Sequence, residues 1–210
     1  GFSEYIYVTE GHLKNTVFKI PNNLTPVEAS FLEPLACVIR AVERSQIQKG
    51  QKVLILGLGS IGNLMAQVVK VYGAKVFGYD INEERQNFSN LKFDPNIKYN
   101  IIFMTSGAKS AIETALKYIL SGGKIIVFSS VKDLSGYTNN DIYYRELSII
   151  GSYSPAPNDY KISYELLKDK KVKVDKMSVE YPLDKLSSAV DDTIANKIMK
   201  AYIKIWKWKQ

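Results

Sequence analysis

Residues 53–62 read Val53-Leu54-Ile55-Leu56-Gly57-Leu58-Gly59-Ser60-Ile61-Gly62, and they decide the fold. Four apolar residues in a row suit a strand buried on both faces of a parallel sheet, where neither face needs polar positions. Three glycines follow at once. Beyond them Ile61, Leu64, Met65, Val68, Val69 and Tyr72 recur at helical spacing. Gly73 closes that helix, and Lys75 to Tyr79 opens a second strand ending at Asp80.

Downstream the alternation continues. A helix is predicted from Glu83 to Ser89, a strand from Ile101 to Met104, and a helix from Ser110 to Leu120 with Ile112, Ala115, Leu116 and Ile119 inward. Gly122-Gly123 turns into a strand from Lys124 to Phe128, and Leu147 to Ile150 reads as another. Strand and helix in alternation predict an α/β fold built on a doubly wound parallel sheet. Upstream, Thr25-Pro26-Val27-Glu28 is a helix start, with Thr as N-cap, Pro at N1 and Glu reaching back. Pro34 opens a helix whose stripe is Leu35, Val38, Ile39 and Val42. Gly1 to Val8 and Thr16 to Ile20 read as strands. After Gly151 the rhythm breaks at Ser154-Pro155-Ala156-Pro157, and helices near Tyr160–Leu167 and Leu186–Ala195 precede a late strand from Ala201 to Ile205.

Composition removes several functions. With 46% hydrophobic and 23% charged residues, the chain can build a core and is no disordered tail. No apolar run approaches the ~18 residues of a membrane span, so no membrane partner is expected. The net charge of +7 raises nucleic acid, yet only four of the 28 basic residues are Arg. Base and phosphate readers lean on Arg forks, and the dense run Lys168, Lys170, Lys171 and Lys173 reads as a solvated turn. No nucleic-acid partner is expected. One Cys and one His make neither a disulfide nor a zinc site, which points to the cytoplasm and to no complete metal site in this chain. Beginning at Gly1, the chain reads as the inside of a longer protein.

The glycine triplet in its strand–helix setting carries chemistry. Gly57 permits the tight turn, Gly59 lets the backbone approach a pyrophosphate, and Gly62 lets the helix pack on its strand. The helix start near Ser60 aims free N–H groups at phosphates. Asp80, 23 residues after Gly57, stands where a carboxylate accepts from adenosine ribose hydroxyls. It would repel a 2′-phosphate, which favours NAD over NADP. Arg85 works against a strict preference, since it can stack on adenine or meet a phosphate.

Beside that run, several stretches look familiar. They are Gly1-Phe2-Ser3-Glu4-Tyr5, Phe31-Leu32-Glu33-Pro34-Leu35-Ala36-Cys37, Ser121-Gly122-Gly123-Lys124, and Arg145-Glu146-Leu147 leading to Gly151-Ser152-Tyr153. In these the sequence resembles the zinc-dependent medium-chain dehydrogenase/reductase family, particularly its polyol and threonine dehydrogenase branches. The resemblance implies a doubly wound parallel Rossmann sheet with parts of a GroES-like catalytic domain at both ends. Residues 1–34 would end that domain, 35–151 would bind the cofactor, and 152–210 would return to the catalytic fold. The link from Arg85 to Ile101 leaves room for a brief strand but not for the family's extra helix, so one sheet edge is expected to be trimmed.

Carried over by position, the resemblance implies cofactor contacts at Gly57, Gly59, Ser60, Ile61, Gly62, Asp80 and Arg85. It adds Thr105, Ser106 and Gly107 after one strand, Phe128, Ser129 and Ser130 after the next, and Tyr153. Ser106 and Ser129 equally suit ordinary turn chemistry. Glu33 stands among Phe31, Leu32, Pro34 and Leu35, where a buried unpaired carboxylate would be costly. It reads either as a helix-start Glu on the dipole or, by resemblance, as a catalytic residue facing zinc directly or through water. Cys37 reads as core and His12 as surface, while Trp206 and Trp208 suit packing or an interface. The implied parent oxidises a secondary alcohol of a polyol, sugar derivative or amino alcohol, or reduces the ketone, with NAD and zinc, as a homodimer or homotetramer. A zinc-free quinone or enoyl reductase is the rival within the superfamily, and Glu33-Pro34 argues against it. A dinucleotide-binding protein without chemistry is the rival outside.

Overall fold

A computed structural model describes residues 2–3, 5–130 and 136–205. Gly1, Glu4, Trp206 and Trp208, which figure in the reading above, lie outside the described residues. Helix α1 (Glu10–Thr16) leads to α2 (Pro26–Ala29) and α3 (Leu32–Ser45). The alternating part runs β1 (Lys52–Leu56), α4 (Ser60–Val71), β2 (Lys75–Tyr79), α5 (Glu83–Ser89), β3 (Tyr99–Met104), α6 (Lys109–Tyr118) and β4 (Ile119–Val127). Then come α7 (Asn139–Arg145), β5 (Ser148–Gly151), α8 (Pro157–Lys168), β6 (Val179–Pro182), α9 (Leu186–Ile194) and β7 (Ala201–Lys204).

Five strands form one parallel sheet in the order β2-β1-β3-β4-β5. The period-2 geometry of a strand divides its apolar run between two cores. From β1, Val53 and Ile55 join one cluster while Leu54 and Leu56 join the other. Ile101 and Phe103 of β3 part in the same way from Ile102 and Met104. The first cluster is completed by α3 and α4 together with Leu166, Leu167, Val172, Val174 and Met177 from α8 and the loop after it. The second is completed by Ala111, Ile112 and Ala115 of α6. All four stripe residues of α3 (Leu35, Val38, Ile39 and Val42) are fully buried. Each contributes about 1.5–3 kcal/mol of transfer free energy against an exposed reference. The strand order turns outward on either side of β1, so the loop after β1 lies at the crevice where such sheets take ligands.

The sheet edge at β2 is short of a neighbour. Where a further strand would lie, the described residues make a single backbone bond, Gly78 N–H to the Lys92 carbonyl at 3.2 Å. That is the trimmed edge. Other expectations fail. Residues 2–8 form no strand where they are described, because no described strand pairs with them. Thr16 ends a helix instead of opening a strand, and Lys14 meets Glu10 one turn back on it. The helix expected to reach Leu120 stops at Tyr118. Ile119 is already strand, paired with Tyr99, and residues 120–123 bulge before the register resumes at Ile101 and Lys124. Helix α3 starts at Leu32, two residues before Pro34. Three elements were not anticipated, α1, α7 and β6; β6 pairs in parallel with β7 as a separate small sheet.

Candidate functional site

The loop after β1 is shaped by its glycines. Gly57 has φ +98°, a conformation that L side chains rarely adopt, and a Cβ there would meet Ser106 at 3.0 Å. At Gly62 a Cβ would stand 1.9 Å from the Gly57 carbonyl oxygen. Gly59 is different. Its missing Cβ faces open space, with an Arg85 guanidinium nitrogen the nearest atom at 4.0 Å. The loop is braced from behind. Thr105 Oγ1 donates to the Gly57 carbonyl at 2.7 Å, and Asn63, buried in α4, donates its side-chain N–H to the Leu58 carbonyl at 2.6 Å and the Gly59 carbonyl at 3.1 Å. Two glycines therefore serve packing, and the third leaves room for a guest.

Asp80 follows β2 at the same edge. The Leu58 N–H donates to its Oδ2 at 2.6 Å and the Asn82 N–H to its Oδ1 at 2.8 Å. Each oxygen keeps a second lone pair for a hydroxyl. Asn82 also caps α5 by accepting from the Arg85 N–H at 3.0 Å. Gly57, Gly59, Asp80, Arg85, Thr105, Ser106 and Gly107 all line one cleft of about 660 Å³. Ser60, Ile61 and Gly62 form the first turn of α4 beside it.

The remaining site residues stand at the next strand ends. Phe128, Ser129, Ser130 and Tyr153 share a second hollow of about 450 Å³ with Arg40 and Arg44. It adjoins the first cleft, since a Cβ on Gly107 would meet the Ser130 carbonyl oxygen at 2.9 Å. Arg44 Nε donates to the Gly151 carbonyl at 2.9 Å and so ties α3 to the end of β5. A third hollow of about 290 Å³ holds Glu33 and Cys37 against Phe128 and Tyr153.

Glu33 is exposed in the first turn of α3, not buried as its apolar neighbours suggested. The helix turns its side chain outward, where Cys37 Sγ donates to its Oε1 at 3.1 Å. Cys37 is half-buried at that hollow and not a core residue. Burial, then the hydrogen bond to negative Glu33, pushes its thiol up to about 12. Burial and the same carboxylate also raise the Tyr160 hydroxyl from α8. His12 is exposed as expected, one turn from Thr9, whose Oγ1 lies 2.7 Å from its Nδ1. Among the described residues no three of His, Cys, Asp and Glu gather to hold a metal ion. None of the helices is long and apolar enough to cross a membrane, again among the described residues.

Residues 39–102 match the NAD binding domain of D-isomer specific 2-hydroxyacid dehydrogenases. A probable D-xylulose reductase A of Aspergillus niger is 25% identical over 181 residues, covering 75% of this chain and 51% of that protein. A zinc-type alcohol dehydrogenase-like protein of Escherichia coli is 25% identical over 217 residues, covering 92% of this chain and 62% of its own. Other relatives of this chain are described as polyol and sugar-acid dehydrogenases. The crystal structure of an Escherichia coli oxidoreductase/dehydrogenase of unknown specificity superposes with a TM-score of 0.82 at 25% identity, over 90% of this chain and 61% of that one. The chain thus spans between half and two thirds of the proteins it matches.

Several residues that brace or line this site escaped the sequence reading. Asn63 was signalled by a polar residue inside the apolar stripe of α4. Arg40 and Arg44 were signalled by cations one turn apart beside the apolar stripe of α3. For Asn196, which closes the first cleft from the C-terminal segment, the local sequence carries no such mark.

Proposed function

We propose that this chain carries the cofactor site of an NAD(H)-dependent oxidoreductase acting on an alcohol or ketone, with polyols, sugar derivatives or amino alcohols as the substrate class. The observation that supports it is the pairing of an open Gly59 with a carboxylate, Asp80, held by the loop's own Leu58 N–H. In this reading the N–H groups of residues 59–61 hold the pyrophosphate and Asp80 accepts from the ribose hydroxyls. Arg85 lies over the adenosine end. Thr105, Ser106 and Gly107 follow the dinucleotide along the strand ends, and Phe128, Ser129, Ser130 and Tyr153 wall the nicotinamide end. When bound, NAD supplies the hydride acceptor.

The described residues make no complete zinc site of their own, so the metal in a relative's description would draw most of its ligands from elsewhere. Glu33, at the third hollow, is the residue that we place toward it, as ligand or through water. The proposed division is 1–34 and 152–210 for the catalytic fold and 35–151 for the cofactor domain. A homodimer or homotetramer is proposed through the outer edge of β5, which pairs with β4 alone among the described strands, and a cytoplasmic location from the single Cys.

Calorimetric titration of the full-length protein tests the cofactor assignment. NAD should bind more tightly than NADP, and Asp80→Ala should narrow that gap, because a carboxylate facing a phosphate disfavours the wrong partner. Equal or tighter NADP binding by the unaltered protein refutes the reading of Asp80.

A further inference from the structure

We infer that Asn196 sets the dinucleotide preference of this cleft by tethering Arg85, an inference that rests on the cofactor assignment above. The guanidinium of Arg85 overlies the glycine loop, one terminal nitrogen standing 4.0 Å from where a Cβ on Gly59 would be. Its other terminal nitrogen donates to Asn196 Oδ1 at 2.7 Å, across 111 residues of chain. Both side chains line the cleft with Asp80.

Asn196 follows the end of α9 in the left-handed region, with φ +57°. Its N–H bonds to the Thr193 carbonyl at 3.1 Å, and the Lys197 N–H to the Asp192 carbonyl at 3.0 Å. Glycine and asparagine both suit such a helix terminator. That role explains the backbone and leaves the side chain unexplained, since a glycine would terminate the helix equally well. The side chain spends its carbonyl oxygen on Arg85.

The partner is a neutral amide, so the tether restrains the cation without cancelling it. A 2′-phosphate entering beside Asp80 meets a carboxylate, and the cation best suited to offset that repulsion is Arg85, whose fork pairs with phosphate oxygens in bidentate fashion. To do so Arg85 must give up Asn196. NAD carries no 2′-phosphate and asks for no such exchange. Asp80 repels the wrong cofactor, and Asn196 withholds the residue that would rescue it.

Asn196→Gly keeps the left-handed terminator and removes only the tether. NAD and NADP are titrated by calorimetry into the full-length protein, into N196G, and into both again with Arg85→Gln. A hydrogen bond to a charged group shifts an equilibrium by about tenfold, so N196G should lower the NADP-to-NAD ratio of dissociation constants about five- to tenfold. In the R85Q background the same change should leave the ratio within about twofold, because the pair then has no cation to release. Asn196→Asp, which replaces the amide with an ion pair, should leave the ratio unchanged or widen it. A ratio in N196G within about twofold of the unaltered protein overturns the tether, and so does an equal shift with Arg85 absent. Failure of the unaltered protein to bind either dinucleotide overturns the cofactor assignment itself, a separate outcome.

Discussion

Replacing Gly62 and Gly59 with alanine, one at a time, separates the packing of the nucleotide loop from its contact with a ligand. A methyl on Gly62 would stand 1.9 Å from the Gly57 carbonyl oxygen and 2.9 Å from its carbonyl carbon. Carbon and oxygen ordinarily approach no closer than about 3.3 Å, so α4 and the loop must part by roughly 1.4 Å. Both atoms that are struck belong to backbone, and Gly57 is also bonded to Thr105 Oγ1, so neither yields easily. We place the cost at about 3 kcal/mol, the upper part of the over-packing range, which lowers Tm by roughly 6–12 °C for a chain of this size. Gly59→Ala meets nothing nearer than 4.0 Å. It costs within about 1 kcal/mol, the N-cap preference of Gly over Ala. Its methyl nevertheless fills the approach of the pyrophosphate, so NAD affinity should fall about tenfold or more with little change in Tm. Thermal melts followed by circular dichroism and calorimetric NAD titrations read both quantities. A Gly62→Ala melt within about 2 °C of the unaltered protein refutes the packing account, and unchanged NAD binding by Gly59→Ala refutes the contact account.

Three further outcomes follow from other parts of the molecule. Burial pushes the Glu28 carboxyl up, but Lys170 and the Thr25 N–H and hydroxyl outweigh it and hold the group below its usual value. A depressed pKa stabilises the fold above the unfolded-state value, and that contribution is lost as pH falls through the folded value. Glu28→Gln should therefore lower Tm at neutral pH, with the gap closing in acid, and a gap that persists undiminished at about pH 3 sinks the linkage. Metal analysis of the isolated 210-residue chain after dialysis should find far less than one zinc per chain, since no described cluster can hold it; stoichiometric zinc would overturn this. Sedimentation of the full-length protein should show a dimer or tetramer joined through β5, the sheet's last strand, and a monomer at all concentrations contradicts that assembly.

The legible parts of the fold were those where a local signal and the tertiary structure demand the same thing. The strand β2 and the helix α5 have the bounds that the sequence predicts, because Gly73, Asp80 and the Asn82 cap punctuate them. At Ile119 the two demands part. An apolar stripe continues past the end of α6, yet the residue's burial beside Tyr99 is met as well by a strand as by a helix. Helix α7 carried a readable signature, since Thr138 and Asp141 form a capping box, but its apolar residues Ile142, Tyr143 and Tyr144 are consecutive and exposed, so no buried stripe reveals a helical period. Glu33 was misjudged because apolar neighbours in sequence do not share its face of the helix. The cleft's first half was legible through Gly57, Gly59 and Asp80. The Arg85–Asn196 contact joins segments 111 residues apart, and no short-range pattern reports such a meeting.

The braces of the glycine loop also sort its polarity. The carbonyl of Leu56 accepts from the Thr105 and Ser106 N–H groups, that of Gly57 from the Thr105 hydroxyl, and those of Leu58 and Gly59 from Asn63. The acceptors are thus engaged with the protein's own donors, and the first turn of α4 leaves its N–H groups for whatever arrives. Such a surface favours one sign before it discriminates by shape: an anion finds N–H donors aimed at it, whereas the carbonyl oxygens are turned to the protein's own donors. Because the Asn63 and Thr105 side chains hold this arrangement without a guest, little chain entropy remains to be lost on binding. Selectivity for negative charge is consequently a property of the folded backbone.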